Sequence, residues 1–225
     1  MPAAALFDVD GTLVDSNAFH AEAWRRAFRR HGVDLAFEAI QLQIGKGGDN
    51  LVPSLLPPDQ AAAIGPAVNA TRKRIFAADY QARVQPFPGV PALFAGLRER
   101  GVRVVLASSA PAKELAANVE RLGVADLVHG TVSADAVEHS KPAPDVFAAA
   151  LVEAGCGPED AVVIGDSPWD VVAAARLGVP AVALRCGGFD GAMLLAAGAR
   201  AVFDGPWALP ADPDAWLSAG HAAAN

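Results

Sequence analysis

Apolar residues fall along the chain in two alternating kinds of run. The first kind is short, rich in Val and Leu, and apolar at nearly every position: residues 3–9, 103–107, 127–132, 161–164 and 180–184. Such runs are too short for helices, and a strand with one wet face would alternate polar with apolar. They predict central strands covered on both sides. The second kind has helical spacing and stops at a residue suited to ending helices. Residues 91–100 stop at Gly101, 112–122 at Gly123, 144–154 at Gly155 and 169–177 at Gly178. "RERGVRVVLAS", "ERLGVADLV" and "ARLGVPAVAL" repeat one junction of helix, glycine and strand. Strand, helix and strand in succession predict a doubly wound, Rossmann-like α/β fold with a parallel sheet.

Residues 15–85 break this rhythm. Helical patterns at 18–30, 37–44 and 67–79 are punctuated by Gly45, Gly47, Gly48, Pro57, Pro58, Gly65 and Pro66, and no strand pattern is present. The stretch "QPFPGVP" then reads as a connection back to the sheet. The expected organisation is an α/β core domain, residues 1–14 and 86–225, with an α-helical cap domain inserted at 15–85. A chain of 225 residues is long enough for one main core and such an insert.

Composition narrows the setting. The hydrophobic fraction of 52% and mean hydropathy of +0.27 owe most to alanine, and no window approaches the ~20 uninterrupted apolar residues of a membrane span. The N-terminus has no basic leader, and Asp8 interrupts its apolar stretch, so a soluble, cytoplasmic protein without a secretory signal is expected. A net charge of −7, with no aromatic residues interleaved in a basic groove, argues against nucleic-acid binding. Cys156 and Cys186 lack metal-site spacing and read as packing thiols. No macromolecular partner is called for, and a monomer or weak homodimer is expected.

In an open α/β sheet, ligands bind beyond the carboxyl ends of the strands. Asp8 and Asp10 follow the first strand, Ser108 and Ser109 the second. Asp166 and, four residues on, Asp170 follow "VVIG", and Lys141 stands in "SKPAPD" before a helix. Residues two apart on a strand project to one side, so Asp8 and Asp10 would share a face. Crowded carboxylates call for a hard cation. Magnesium fits, because it takes few protein carboxylates and shares phosphate oxygens. Lys141 and the Ser108 hydroxyl supply donors for a transferring phosphoryl group. One aspartate of the pair could attack phosphorus, and the other is placed to move protons. Taken singly, the same letters also read as a turn at Asp8–Asp10, a helix cap at Ser108 and a helix-start carboxylate at Asp170.

Taken together, "DVDGTLVDS", "VLASS", "SKPAPDVF" and "VIGDSPWD" resemble the haloacid dehalogenase superfamily of phosphohydrolases. The insert is similar to the small helical cap of its phosphoglycolate phosphatase and β-phosphoglucomutase-like branch. The resemblance implies Asp8 as nucleophile and magnesium ligand, and Asp10 as general acid and base with its carbonyl on the metal. It implies phosphate binding by Ser108 and Lys141, and metal binding by Asp166 and Asp170. Asp10 favours phosphoryl transfer, since the dehalogenases usually lack the second aspartate. Ser109 is an accepted variant of the phosphate-binding pair. His20 stands near a histidine frequent in the branch and is a substrate-gate candidate. Lys46, in "GKGGDN", could face the site when the cap closes. Gly48 stands where the mutases typically carry an arginine for a second phosphate. The resemblance thus implies a magnesium-dependent phosphatase of small phosphorylated metabolites, phosphoglycolate phosphatase-like. A β-phosphoglucomutase-like mutase and a noncatalytic phosphate-binding module are the alternatives.

Overall fold

Strands buried on both faces explain why the apolar runs do not alternate. The computed structural model of the protein describes residues 1–218. The chain runs β1 (Ala4–Phe7), β2 (Val14–Asp15), α1 (Asn17–Arg30), α2 (Phe37–Gln41), α3 (Gly48–Leu55), α4 (Pro58–Asp79), β3 (Gln85–Pro86), α5 (Val90–Glu99) and β4 (Arg103–Ala107). It continues through α6 (Ala112–Leu122), β5 (Gly130–Val132), α7 (Asp145–Ala154), β6 (Ala161–Gly165), α8 (Pro168–Ala175), β7 (Ala181–Leu184), α9 (Gly191–Ala196), β8 (Ala201–Phe203) and α10 (Asp214–Ser218). Six strands form a parallel sheet in the order β5-β4-β1-β6-β7-β8. Strand order reverses around β1, where Phe7 is in register with Leu106 on one side and Ile164 on the other. Asp8, Ser108 and Asp166 therefore leave three adjacent strands at one edge.

Alternate residues of β1 enter opposite cores. Leu6 packs with Val105, Phe147 and Val163. Phe7 packs with Leu106, Ile164 and Phe94, its ring centroid 5.0 Å from that of Phe94. This second cluster continues into α1–α4 through Trp24, Phe28, Leu51, Val68 and Phe76. Burying a side chain such as Phe28 contributes about 1.5–3 kcal/mol.

Several elements differ from the sequence expectation. A single helix, α4, runs through Gly65 and Pro66, read above as breakers. Gly65 brings α3 close: a Cβ there would stand 3.3 Å from Val52 Cγ1. A further helix, α3, starts at Gly48, one of the glycines read above as punctuation, with Asp49 in its first turn where a carboxylate favours the helix. The sixth sheet strand, β8, and the two-residue antiparallel ladder of β2 with β3 went unread because such short segments carry no periodicity. No described helix is long and apolar enough to cross a membrane.

Candidate active site

Beyond β1 the chain turns sharply: Thr12, Leu13 and Val14 all donate to the Val9 carbonyl. Gly11, at φ 81°, packs so tightly against Asn17 and Asp166 that no side chain fits. The turn aims Asp8 across the carboxyl edge, and Lys141 meets it there. The Lys141 ammonium is fully buried. Its Nζ lies 2.5 Å from Asp8 Oδ1, 2.7 Å from Asp170 Oδ1 and 3.2 Å from the Ala107 carbonyl. Asp166 Oδ1 accepts from Thr12 Oγ1 at 3.0 Å, and its Oδ2 accepts from Asn17 Nδ2 at 2.7 Å. Asn17 Nδ2 also donates to the Gly187 carbonyl at 2.9 Å. These bonds fix the carboxylate where Gly187, lacking a side chain, leaves it room.

Asp170 has two roles at once. Its Oδ2 closes a capping box at the start of α8, accepting from the Ser167 N–H at 3.1 Å and also from Ser167 Oγ at 2.6 Å, and its Oδ1 faces Lys141. The helix-start reading of Asp170 is therefore realised, and an ion pair that its motif did not disclose joins it. Asp8, Asp166 and Asp170 can bring one oxygen each within 4.8 Å of one another, all buried, against the single ammonium. Burial raises the Asp8 carboxyl to about 7, with Lys141 opposing and Asp170 adding to the rise. Burial, then repulsion from Asp8 and Asp170, holds Asp166 well above its ordinary range. Oxygen-only ligands with excess negative charge fit a hard divalent cation.

Asp10 stands beside this cluster. Burial alone would raise its carboxyl, but His20 and the Ser16 hydroxyl hold it below the ordinary range. Its Oδ1 accepts from Ser16 Oγ at 2.7 Å and lies 3.2 Å from His20 Nε2. The His20 ring stacks on Phe76 with centroids 3.9 Å apart. A cavity of about 40 Å³ lies among Asp8, Asp10, His20, Arg72 and Glu114. That is room for only a few waters. A second cavity, about 190 Å³, is lined by Ser108, Ser109 and Ser140 and shares Arg72 and Ser109 with the first.

The remaining sequence candidates are placed differently. Ser108 Oγ accepts from the Ala110 N–H at 3.0 Å just ahead of α6, and Ser109 Oγ donates to the Gly45 carbonyl at 3.4 Å. Lys46 lines the small cavity, yet its ammonium donates to Gln43 and Ser54 and sits 3.8 Å over the Trp169 ring. Gly48 abuts Asn69 at the start of α3.

The chain is similar over most of its length to known phosphatases and hydrolases. The chain is 32% identical over 215 residues to phosphoglycolate phosphatase of Rhodospirillum rubrum, covering 91% of this chain and 88% of that one. It is 29% identical to fructose-1-phosphate phosphatase YqaB of Escherichia coli, over 81% of this chain and 96% of that one. The crystal structure of a hydrolase from Pseudomonas syringae superposes with a TM-score of 0.84 at 29% identity, covering 92% and 95% of the two chains. Residues 2–178 match the haloacid dehalogenase-like hydrolase family. The chain belongs to this family.

Four residues of this haloacid dehalogenase-like hydrolase escaped the sequence reading. Thr12 and Asn17 lie within or beside the "DVDGTLVDS" motif and could have been found as polar positions flanking it. Arg72 and Glu114 could not, since each reads as an ordinary helix-surface charge. The same holds for a clasp between α3 and the segment before Lys141. Ser140 donates from its N–H and its Oγ to Asp49, at 3.0 and 2.5 Å, and its carbonyl accepts from Asn50 Nδ2 at 2.9 Å.

Proposed function

We propose that this phosphatase of small phosphorylated metabolites hydrolyses phosphomonoesters through a phosphoryl group carried on Asp8. The juxtaposition of Asp8, Lys141, Asp166 and Asp170 carries the reading. Asp8 Oδ2 attacks phosphorus in line, forming an aspartyl-phosphate as the ester P–O bond breaks. Asp10, facing the same cavity and ionised in the resting site, takes up the proton that a phosphomonoester monoanion carries in, passes it to the departing alkoxide and then takes a proton from the water that splits the acyl phosphate. Lys141 holds Asp8 in position and balances charge on the transferred group, assisted by the hydroxyl and backbone N–H groups of the Ser108–Ala110 turn. Asp8, Asp166, the Asp10 carbonyl and Asp170 would hold a magnesium ion. When bound, that ion supplies positive charge to the clustered carboxylates and the phosphoryl oxygens.

The cavity is too small for a phosphomonoester, so α1–α4 act as a cap that opens at the Asp49–Ser140–Asn50 clasp and closes over the substrate. Gly48 supplies no side-chain charge to a second phosphate, which favours hydrolysis over mutase chemistry.

Phosphate release from phosphoglycolate, hexose phosphates and polyol phosphates is expected with magnesium and expected to stop on exhaustive chelation. Isomerisation without phosphate release would replace this reading with a mutase.

The metal site has a signature apart from turnover. Folded Asp8 and Asp166 keep their protons to higher pH than in the unfolded chain. Between about pH 4 and 7 the folded state then binds more protons, so metal-free stability declines as pH rises. The melting temperature of metal-free protein should be lower at pH 7.5 than at pH 5, and magnesium should raise it more at pH 7.5. Equal magnesium shifts at both pH values would remove these carboxylates from the metal site.

A further inference from the structure

The cavity that Asp8 lines also carries an ion pair that the reaction above leaves without a task. Arg72 comes from α4 and Glu114 from the first turn of α6. Arg72 Nη1 lies 3.8 Å from Glu114 Oε2, too far for a hydrogen bond, and His20 Nε2 lies 3.5 Å from Glu114 Oε1. Arg72 is only 6% exposed and the Glu114 side chain 12%. Among the described residues, Arg72 Nε and Nη1 find no acceptor and Glu114 Oε1 no donor. Unpaired buried polar atoms cost roughly 1–3 kcal/mol each, and all three belong to residues lining the one cavity. Such atoms suit a ligand that both gives and takes hydrogen bonds.

The charges define that ligand further. Arg72 alone would welcome a second anion beside the phosphate, but Glu114 cancels it and would repel a carboxylate. A hydroxyl group meets both demands: it donates to Glu114 Oε1 and accepts from Arg72 N–H. Two neighbouring hydroxyls would engage both residues together.

We propose that Arg72 and Glu114 form a hydroxyl-reading subsite that directs the enzyme to sugar and polyol phosphates and against carboxylate-bearing substrates such as phosphoglycolate. This rests on the assignment of Asp8 as phosphoryl acceptor, because that assignment places the substrate's organic part against this wall.

The test compares kcat/KM for fructose 1-phosphate, sorbitol 6-phosphate and phosphoglycolate, with p-nitrophenyl phosphate as a substrate having neither hydroxyls nor a carboxylate. Wild-type enzyme is expected to favour the two hydroxylated substrates over phosphoglycolate by at least about tenfold. Glu114→Gln keeps the shape and removes the charge, and is expected to shrink that ratio about tenfold, chiefly by improving phosphoglycolate. A wild-type preference for phosphoglycolate overturns the proposal even if the variant fails to fold. So does a ratio unmoved by Glu114→Gln. Hydrolysis of p-nitrophenyl phosphate alongside either result leaves the phosphatase reading standing. No release from any substrate overturns that reading and the subsite with it.

Discussion

Asp8→Asn is expected to lower kcat by about four orders of magnitude or more, while the metal-free protein melts no earlier than wild type. The first effect follows from the proposed reaction: an amide offers phosphorus no anionic oxygen, and a route through an aspartyl-phosphate on Asp8 would lose the step that all its turnover passes through. The second follows from the surroundings. Burial already disfavours the charged form of Asp8, so a neutral isostere relieves repulsion from Asp170 and Asp10. Lys141 keeps Asp170 as its partner at 2.7 Å, and the asparagine oxygen can still accept its hydrogen bond. Steady-state phosphate release and thermal unfolding of the same preparation check both halves. Activity above about one per cent of wild type would move the nucleophile elsewhere, and a large fall in melting temperature would make Asp8 chiefly structural.

The parts of this site that the sequence exposes are those fixed by topology. A strand buried on both faces has little choice but to be a Val- and Leu-rich run, so β1, β4, β6 and β7 announce themselves. Once the sheet is parallel, the residues following those strands must share an edge, which brings Asp8, Ser108 and Asp166 together before any coordinate is known. Lys141 and Asp170 were legible through their motifs, though only packing reveals that one ammonium bridges two aspartates. Arg72 and Glu114 acquire meaning solely from the seating of α1–α4 on the sheet. In sequence, Arg72 is the first of the run "RKR" on a long helix, a pattern that ordinarily means a solvated face. Folding turns it inward over the Trp24 ring, 5.1 Å from its centroid, while the comparable run near Arg26 stays outside, paired to Asp79. Lys46 is a different case. A glycine-rich setting suggested a lysine facing the site on closure; it lines the small cavity, with its ammonium held by Trp169, Gln43 and Ser54.

Lys141→Met is expected to act on stability in the sense opposite to Asp8→Asn, although the two residues form one ion pair. The cluster holds three carboxylates, Asp8, Asp166 and Asp170, against one ammonium. Neutralising Asp8 leaves two against one; neutralising Lys141 leaves three against none. Burial works against the Lys141 charge, but Asp170 and Asp8 outweigh it and raise its proton affinity. Removing one partner of a buried pair costs about 3–5 kcal/mol, equivalent to a fall of roughly 10 °C in melting temperature for a protein of this size. Part of that loss should vanish at pH 5, where Asp8 and Asp166, raised by burial, regain protons. Activity should fall with Lys141→Arg as well, because a fully enclosed ammonium leaves no space for a planar guanidinium and its different donor geometry. Thermal unfolding of wild type and Lys141→Met at pH 5 and pH 7.5 decides the matter. A deficit that does not shrink at pH 5 would mean that lost packing, rather than uncompensated negative charge, is what Lys141 prevents.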